Sequence, residues 1–598
     1  MKIKVIFHDE KISWDKKWIF LGSSYKNLKT AEKKISGPRL KINNTLHEVF
    51  KKELQDYLEW TENQRKYFND SIFWWMTSLA GRNNLSSNFL LFICQVKALK
   101  KILENTEESE LLIVSDDVLL IENLILNLKD YKIIKSNLFF LKKFRNFILH
   151  YYRVSRSLIA CFLDLILTFF YLKITSKNKN LPTGKAYLLH QHTDINSLRK
   201  NSKLKSRYFP YLKEYFKKEN LKLYTLTWYS FFLINKLKAI KNIRSEDHFI
   251  PEDWLNLFDY INSFKNYFKI SSYFSDKVNY PNFDVEYLML IEKRAHLEQI
   301  NSNLRFCMYP YALKKWAKNL NKLSCIDHYE NMVYEHALIG AAKNLEIETK
   351  LYGYHHTLSS YEFTAWHSLE LEWESKFKPD YVISLGSISN KLLEDQGIPA
   401  KKIISGPALR YSNILETTKD KSLKSEKNIL IPLSQIRDAS YEMFNSILSL
   451  SKNLNKTNYN FFIKPHPNLE ISKVLNSSEL SQIPKNLIIS NEDIDTLMDK
   501  CLITIFMSTA AAYNAVLNGN IVFNLRSELN FSDNYLDILE KDFKFVNSYS
   551  LDSIKQILLD FENNEKKIEE HKDEFKKIRQ YFVSGFNQVN EVNLAKFK

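Results

Sequence analysis

Short apolar runs alternate with stretches of helical apolar spacing from about residue 380 onward. Each run spans four to seven residues rich in Ile, Val, Phe and Leu, a pattern typical of buried β-strands. Because the strand–helix units recur every ~25–30 residues, they predict a parallel sheet with helices on both faces. The predicted strands lie at 379–385, 402–405, 427–433, 459–463, 486–489, 502–506 and 521–524.

The first 375 residues show the same alternation less sharply, with strand-like runs such as 4–7, 111–114 and 186–190. We therefore predict an α/β, GT-B-like protein in which two doubly wound Rossmann-like domains face a cleft. The N-terminal, acceptor-side domain is expected at 1–375 and the C-terminal, nucleotide-sugar-binding domain at 376–550. Helices predicted at 551–598 follow, and in such folds a final helix often crosses back to the first domain.

A helical basic–apolar insertion is predicted at 136–182, within the N-terminal domain. Residues 158–172 are apolar except for Asp164 and Thr168, and basic residues flank them on both sides. Fifteen residues are short of the ~20 that span a bilayer, and positive charge on both sides disfavours crossing. Two interpretations stay open, an in-plane membrane anchor and a buried helix.

The run Lys464-Pro465-His466-Pro467 ends one of the predicted strands. In doubly wound sheets ligands bind at the carboxyl ends of strands, and the two prolines hold the intervening backbone extended. His466 can then donate a hydrogen bond or a proton to a phosphate leaving group, while Lys464 offsets its charge. The alternative is that His466 is an ordinary loop or capping residue.

Ser508 and Thr509 follow another predicted strand and precede an Ala-rich helix. Hydroxyls at a helix start serve as caps, but together with free backbone N–H groups they also bind phosphate. With the His-Pro motif upstream, we assign both residues to the donor nucleotide. Gly406, Pro407 and Arg410 follow the strand at 402–405 and are expected to line the same cleft.

Composition narrows the classes of function. The net charge of +16 is spread along the chain, and no recognition helix, zinc spacing or aromatic–basic motif supports a nucleic-acid partner. Such a surface also suits anionic lipid headgroups. The five cysteines are far apart without a CxxC pair, which indicates a reducing compartment and neither disulfides nor a zinc site. The N-terminus has no signal-peptide pattern, so we expect a cytoplasmic protein.

The motifs at 464–467, 508–509 and 515–523 together resemble the nucleotide-binding half of bacterial GT-B enzymes that use CMP-activated sugars. These enzymes are the sialyl-, polysialyl- and Kdo transferases of capsule and lipopolysaccharide synthesis, and the likeness implies contacts with the CMP phosphate and ribose. A similar pair occurs in CDP-glycerol glycerophosphotransferases. The runs at 328–340, 351–357 and 406–410 are similar to a family of surface-carbohydrate (O-antigen) biosynthesis proteins, over roughly residues 70–530.

Glu330 and Glu335 are the candidate catalytic bases that this resemblance implies. An inverting transferase needs a carboxylate to accept the proton of the acceptor hydroxyl. The sialyltransferase-like enzymes supply it from the N-terminal domain, in an acidic–acidic–Gly motif that this chain lacks. The two glutamates are five residues apart, so they cannot face one point on a regular helix. We prefer Glu330, with Glu335 orienting it or binding substrate; capping and ion pairing are the alternatives.

Four further residues are assigned to the acceptor side: His355, His356, Trp75 and Arg82. Aromatic and polar side chains suit a sugar, although core packing is the commoner reason for a tryptophan. The sequence places no carboxylates beside the histidine pair, so we expect metal-independent chemistry without a cofactor.

The sequence thus predicts a glycosyltransferase that moves a Kdo- or nonulosonate-type sugar from a CMP-activated donor to a lipid-linked surface polysaccharide. It would work in the cytoplasm, peripherally attached to the anionic inner-membrane surface. The alternatives are a CDP-dependent glycerophospho- or polyol-phosphate transferase, a UDP- or GDP-sugar transferase, and a non-catalytic scaffold for glycan assembly.

Overall fold

The computed structural model describes residues 1–598 except 176–180, 194–205, 207, 230–239, 241–246, 276, 359, 417–423, 456, 468, 476–482 and 532. Residues 176–180 of the predicted insertion therefore lie outside the described residues. In the described part of the chain the strands form three sheets, and every pairing between them is parallel.

The first sheet has the order β2-β3-β1-β4. Its strands are β1 Lys2–Phe7, β2 Trp18–Leu21, β3 Glu110–Ser115 and β4 Lys132–Lys135. The prediction of one N-terminal domain at 1–375 is therefore wrong, because residues 2–135 build a sheet of their own. This sheet packs against the third one through contacts such as Tyr25 with Tyr441, whose ring centroids are 5.9 Å apart.

The second sheet has the order β11-β10-β9-β8-β5-β6-β7. The chain winds outward from β5 through β6 and β7, then returns to β8 and winds outward on the other side. This is the Rossmann order, with its switch point between β5 and β8. The strands are β5 Thr183–Thr193, β6 Leu223–Tyr229, β7 His248–Phe249, β8 Asn319–His328, β9 Glu348–Tyr354, β10 Tyr381–Ser384 and β11 Ile403–Ser405.

The predicted domain boundary at 375 is also wrong. β10 and β11 continue the second sheet, since β10 pairs with β9 and β11 pairs with β10. The physical reason is that both domains repeat the same strand–helix unit, so the local pattern does not show which sheet a strand joins. The change of sheet falls after Ser405.

The third sheet has the order β14-β13-β12-β15-β16-β17, again the Rossmann order, with its switch point between β12 and β15. Its strands are β12 Ser425–Pro432, β13 Asn460–Lys464, β14 Leu487–Ile489, β15 Cys501–Phe506, β16 Ile521–Leu525 and β17 Ser548–Tyr549. The predicted fold class, an α/β protein with two doubly wound Rossmann-like units, is confirmed, and the first sheet is an addition to it.

Helices cover the sheets. Within the described residues, those of eight residues or more are α1 Tyr25–Glu32, α2 Asn43–Tyr67, α3 Phe89–Glu104, α4 Val118–Asn127, α5 Phe139–Ile174, α6 Leu257–Ile270, α7 Glu286–Glu298, α8 Tyr309–Trp316, α9 Val333–Lys343, α10 Ser387–Asp395, α11 Arg437–Asn453, α12 Leu551–Asn563 and α13 Glu565–Gly585. The predicted helical insertion is thus one long helix, α5. Shorter helices include Leu212–Lys218, Ile494–Lys500 and Ala511–Leu517.

The C-terminal chain returns from the third sheet to the second. After α13, the backbone N–H of Asn587 donates to Leu385 O at 2.8 Å, and Asn587 O accepts from the N–H of Ala408 at 2.9 Å. Gly386, with φ +133°, lies at this crossing, and a Cβ there would meet Gly585 O at 2.2 Å. The crossing therefore needs glycine at position 386.

Candidate functional site

The two predicted donor motifs lie at the carboxyl edge of the third sheet, on either side of its first strand. The N–H of Leu433, just past β12, donates to Lys464 O at 2.9 Å. The next residue, Ser434, donates its hydroxyl to Ser508 O, also at 2.9 Å. Since neighbouring strands are ~4.8 Å apart, the backbones of the motifs are roughly 10 Å apart. The sequence analysis missed Ser434, although it follows a predicted strand directly.

Lys464 and His466 lie at the partly exposed end of β13. His466 is half-buried and Pro467 is exposed. The N–H of Leu469 donates to His466 O at 2.8 Å, so the motif ends in a turn. Lys464 Nζ is 3.5 Å from Asn491 O on the following connection. Both side chains are thus at the surface of the sheet edge, where a phosphate can reach them.

Ser508 and Thr509 occupy the turn after β15. Ser508 has φ +48°, an unusual conformation for a residue with a side chain. Its hydroxyl hydrogen-bonds the carboxylate of Asp533. Burial, followed by the charge of Glu362, raises the pKa of Asp533 to about 7, against the hydrogen bonds from Ser508 and Asn84. Thr509 Oγ1 accepts from Ala511 N at 3.4 Å, which is a capping contact. Asp533 carried no signal in the sequence.

At the switch point of the second sheet, Asp327 near the end of β8 binds two histidines. Its Oδ2 is 2.7 Å from His190 Nδ1 on β5, and its Oδ1 is 3.1 Å from His328 Nδ1. His328 Nε2 in turn lies 2.6 Å from the hydroxyl of Tyr334. All four side chains are buried. They form a fixed polar network at the place where doubly wound sheets bind ligands.

Asp327 controls the protonation of His328. Burial lowers the pKa of His328, but the hydrogen bond and charge of Asp327, with help from Glu330, raise it to about 9. Burial likewise acts to raise the pKa of Asp327, yet the charge and hydrogen bond of His190 bring it below its ordinary value. His328 is therefore an imidazolium at neutral pH.

We expect the Asp327→Asn variant to lower the pKa of His328, because only the charges of Glu330 and Glu335 then oppose burial. The measurement is the pH titration of its imidazole resonances by NMR. Buried His336, whose pKa burial lowers to about 3, is the internal control and stays neutral throughout. The sign for stability follows. The contribution of His328 to the free energy of unfolding is complete below pH 6.5 and is lost as the pH rises to 9. The variant should show less of this pH dependence.

Glu330 is the carboxylate that reaches the surface beside this network. Its Oε2 accepts from the Tyr334 hydroxyl at 2.9 Å, and its Oε1 is 3.4 Å from His356 Nε2. The Glu330 side chain is 27% exposed, so one edge is held while another is open to a ligand. His356, assigned to the acceptor side from the sequence, therefore lies beside the candidate base.

Glu335 has a different position. It is buried in the first turn of α9, and its two oxygens accept the backbone N–H groups of Glu330 and Asn331 at 2.8 and 3.0 Å. Burial raises the pKa of Glu335 well above its ordinary value. This side chain fixes the loop that carries Glu330, and both of its oxygens are already occupied.

The charge of Glu330 reaches a residue of the third sheet. Tyr535 follows β16, and burial raises its pKa, as do the charges of Asp533 and Glu330, whereas Arg410 lowers it. Glu330, Asp533 and Arg410 are thus all within electrostatic range of the same phenol. The residues that follow β8 and β16 are therefore near each other, and the space between the carboxyl edges of the two sheets is the predicted cleft.

Gly406 and Pro407 do not face this cleft. Both are buried, and Pro407 O accepts from the hydroxyl of Tyr354 at 2.9 Å. Asn587 donates to Gly406 O at 3.1 Å, so these residues hold the returning C-terminal chain. Of the three residues predicted after β11, the structure brings only Arg410 to the cleft.

Trp75 and Arg82 are buried and paired within the protein, so neither side chain is open to a ligand. Trp75 is 1% exposed and donates its Nε1–H to Asp70 at 2.8 Å. Arg82 forms a two-point ion pair with Glu372, at 2.9 Å for each hydrogen bond. Their assignment to the acceptor side was wrong, because core packing and a buried charge produce the same aromatic–polar pattern.

His355 is also buried. Its Nδ1 is 2.9 Å from Ser389 Oγ, and its ring packs edge-on against Trp366 with centroids 4.4 Å apart. Burial lowers the pKa of His355 to about 3, so it is neutral. Its Nε2 has no hydrogen-bond partner among the described residues.

A cavity of about 190 Å³ lies on the other side of Tyr334. Aromatic rings line it on one side, including Trp228, whose centroid is 4.6 Å from that of Tyr334. Polar groups of Asn83 and Glu292 line it elsewhere. Its mixture of rings and hydrogen-bonding groups suits a sugar. Asn83 ends the segment 73–83 that contains the predicted Trp75 and Arg82, whereas Trp228, Glu292 and Tyr334 come from three other segments and were not predicted.

One group of side chains has the composition of a metal site. His328, Glu330 and Glu335 offer ligand atoms within 4.8 Å of one another. However, both oxygens of Glu335 accept backbone N–H groups, and His328 is protonated and bonded to Tyr334. A cation would have to displace these contacts, so the group fits a metal poorly. Metal-independent chemistry stays a prediction.

Neither a protein-family model nor a curated protein matches the sequence. Among solved structures, the chain is similar to UDP-GlcNAc 2-epimerase from Neisseria meningitidis, at 14% identity over 69% of this chain and 97% of that chain, TM-score 0.35. It is similar to S. aureus MnaA with UDP, at 11% identity over 65% and 91%, TM-score 0.37. It is also similar to the wall teichoic acid polymerase TagF, at 11% identity over 75% and 96%, TM-score 0.31. With TM-scores this low, these similarities add nothing to the sheet order and side-chain contacts described above.

Proposed function

We propose that this chain is a GT-B glycosyltransferase that transfers a sugar from a nucleotide-activated donor to a cell-surface polysaccharide under assembly. The observation that carries the proposal is the position of Glu330. It is a partly exposed carboxylate at the switch point of one Rossmann-ordered sheet, and its charge acts on Tyr535, which follows β16 of the other. A base on one side and nucleotide-binding loops on the other are what sugar transfer requires.

In this mechanism the donor phosphates bind at the edge of the third sheet, between Lys464–His466 and Ser508–Thr509. The acceptor oxygen forms its bond to the anomeric carbon while the bond from that carbon to the phosphate oxygen breaks. The acceptor proton passes to Glu330, and the departing phosphate keeps the electron pair. Lys464 and His466 stabilise that negative charge, which is an electrostatic contribution present where charge develops.

The acceptor would bind at the open edge of Glu330, beside His356, so that its hydroxyl is within reach of the carboxylate. Trp75 and Arg82 are too deeply buried to take part in the acceptor side of the proposal. We further propose that the acceptor is lipid-linked and that the enzyme works on the cytoplasmic side of the inner membrane.

The favoured donor is CMP-linked, of the Kdo or nonulosonate type, because the Lys-Pro-His-Pro and Ser-Thr motifs resemble those of CMP-sugar enzymes. The same motifs fit a CDP-dependent glycerophospho- or polyol-phosphate transferase. The two reactions differ in the product, since one forms a glycosidic bond and the other a phosphodiester. Mild acid or alkaline release of the labelled product separates them.

We expect CMP or CDP to raise the melting temperature of the purified protein, and UDP, GDP and ADP to do so far less. A ligand that binds only the native state stabilises it by about 2.7 kcal/mol at a concentration 100 times its Kd. Thermal denaturation of wild type and His466→Ala measures this, and the variant should lose most of the shift.

The matched control is Lys427→Ala. Lys427 pairs with Glu562 on α12 and lies near the start of β12, at the opposite edge of the same sheet. This variant should keep the full nucleotide shift. If no nucleotide stabilises the wild type, the transferase proposal fails and the scaffold remains. If UDP or GDP alone stabilises it, the donor class changes.

A further inference from the structure

Helix α5 presents an apolar face to solvent along its whole length. Its 36 residues extend for ~54 Å at 1.5 Å per residue. Large apolar side chains on this face are 59–76% exposed: Phe140, Phe144, Tyr152, Ile159, Phe162 and Phe170. Monomeric soluble proteins rarely expose apolar surface on this scale, and such patches mark sites of interaction.

The opposite face of α5 is packed on the protein. His150, Cys161 and Leu172 are buried along it. His150 Nδ1 lies 2.9 Å from Glu298 at the end of α7, and Ser157 donates to Glu298 O at 2.8 Å. By length and composition α5 could cross a membrane. However, a helix held to the domain along one face cannot cross a bilayer unless its partners enter too, so α5 can only lie along a surface.

Helix α6 extends the apolar surface. Phe169 of α5 packs edge-on against Tyr260 of α6, with ring centroids 6.1 Å apart. On its outer side α6 exposes Leu257 and Phe258, at 63% and 75%. This part of the surface was not predicted from the sequence.

The charges around this surface are predominantly positive. Helix α5 contains six Lys and Arg residues and one acidic residue, Asp164. Arg145 and Arg156 are exposed on it, and Lys265 and Lys269 are exposed on α6. Lys142, Lys143 and Arg153 have carboxylate partners within the protein, which leaves the others to face outward. Two copies of the chain joined by this face would bring like charges together.

We propose that the exposed faces of α5 and α6 form one docking surface that lies in the headgroup region of an anionic bilayer. Apolar side chains enter the acyl boundary while the basic residues contact lipid phosphates, each adding to the attraction. The inference rests on the proposed function only where it concerns the lipid-linked acceptor, because the docking surface itself is argued without any substrate. The docking surface lies on two helices and begins near Phe140. It is therefore larger than the in-plane anchor predicted at 158–172, which it replaces.

The test is flotation of the full-length protein with vesicles of phosphatidylcholine alone or of phosphatidylcholine and phosphatidylglycerol at 3:1. No donor or acceptor is present, so failure here is distinct from failure of the transferase proposal. Wild type should bind the anionic vesicles, bind them less at high salt, and bind the neutral vesicles weakly. Phe162→Glu on α5 and Phe258→Glu on α6 should each reduce binding at least tenfold.

The matched control is Val592→Glu, which places the same charge at an apolar side chain that is 72% exposed elsewhere. It should bind like the wild type, and unchanged circular dichroism spectra show that all three variants are folded. Equal binding by the Phe258→Glu variant would exclude α6 from the surface. A wild type that ignores anionic vesicles and instead sediments as a dimer would overturn the proposal in favour of a second copy.

Discussion

The Glu330→Gln variant should lose transferase turnover by about 10²–10⁴-fold, the usual contribution of a positioned general base. Glutamine has the shape of glutamate and can still accept the Tyr334 hydrogen bond, but it cannot take the proton of an acceptor hydroxyl. Its melting temperature and nucleotide-induced shift should therefore stay close to wild type. Turnover is measured as transfer of labelled sugar from the CMP donor, under single-turnover conditions.

Glu335→Gln is the matched control, because it makes the same chemical change five residues away. Glutamine offers one acceptor oxygen, so one of the backbone N–H groups of Glu330 or Asn331 loses its partner. Such a loss costs about 1–3 kcal/mol of stability. Turnover should fall less than in Glu330→Gln, because the base is still present and only the position of its loop changes. The assignment of the base is reversed if Glu335→Gln abolishes turnover at unchanged stability while Glu330→Gln retains it.

More of the donor edge of this site than of the acceptor edge could be predicted from the sequence. Lys464, His466 and Ser508 each come at or just after the end of an apolar run, and strand ends of a parallel sheet share one edge, so their position at one edge could be predicted from the sequence. Their proximity depends on β13 and β15 both flanking β12. Ser434 satisfies the same rule and was overlooked only because it carries no distinctive motif. The roles given to these residues stay predictions.

The network behind Glu330 could not be predicted in the same way. Asp327 contacts His190, which is 137 residues away in the sequence. Their contact depends on β5 and β8 being neighbours, and that pairing follows from the order of strands in the sheet. Local hydrophobic patterns give the strands but not their order. The same limit explains why β10 and β11 were assigned to the wrong sheet.

Arg82 illustrates how a charged residue can be misassigned. Two asparagines follow it in the sequence, and an arginine shortly after two tryptophans fits a sugar site as well as a core. Glu372, its partner, is 290 residues away, and His367 O accepts a further hydrogen bond from Arg82 at 2.8 Å. The burial of Arg82 could therefore be seen only in the folded structure, where its side chain is 2% exposed.

We expect Arg82→Met to lower the free energy of unfolding by about 3 kcal/mol and Glu372→Gln by about 5 kcal/mol. Removing one partner of a buried ion pair costs about 3–5 kcal/mol, because the other charge is left without compensation. Urea denaturation followed by tryptophan fluorescence measures both losses. Two of the ten tryptophans, Trp75 and Trp373, report on this region, since the ammonium of Lys378 lies 4.9 and 5.6 Å from their ring centroids.

Lys378 is the reason that Glu372→Gln should lose more stability than Arg82→Met. Its Nζ is 3.4 Å from Glu372, and burial lowers its pKa to about 8. Without Arg82, the pair of Glu372 and Lys378 survives; without the carboxylate of Glu372, two buried cations face each other. Lys101→Met, which breaks an exposed pair with Glu48, is the control and should change stability by no more than about 1 kcal/mol. Equal losses in the two buried variants would mean that Lys378 does not share the carboxylate, and a loss near that of the control would mean that the pair is open to water.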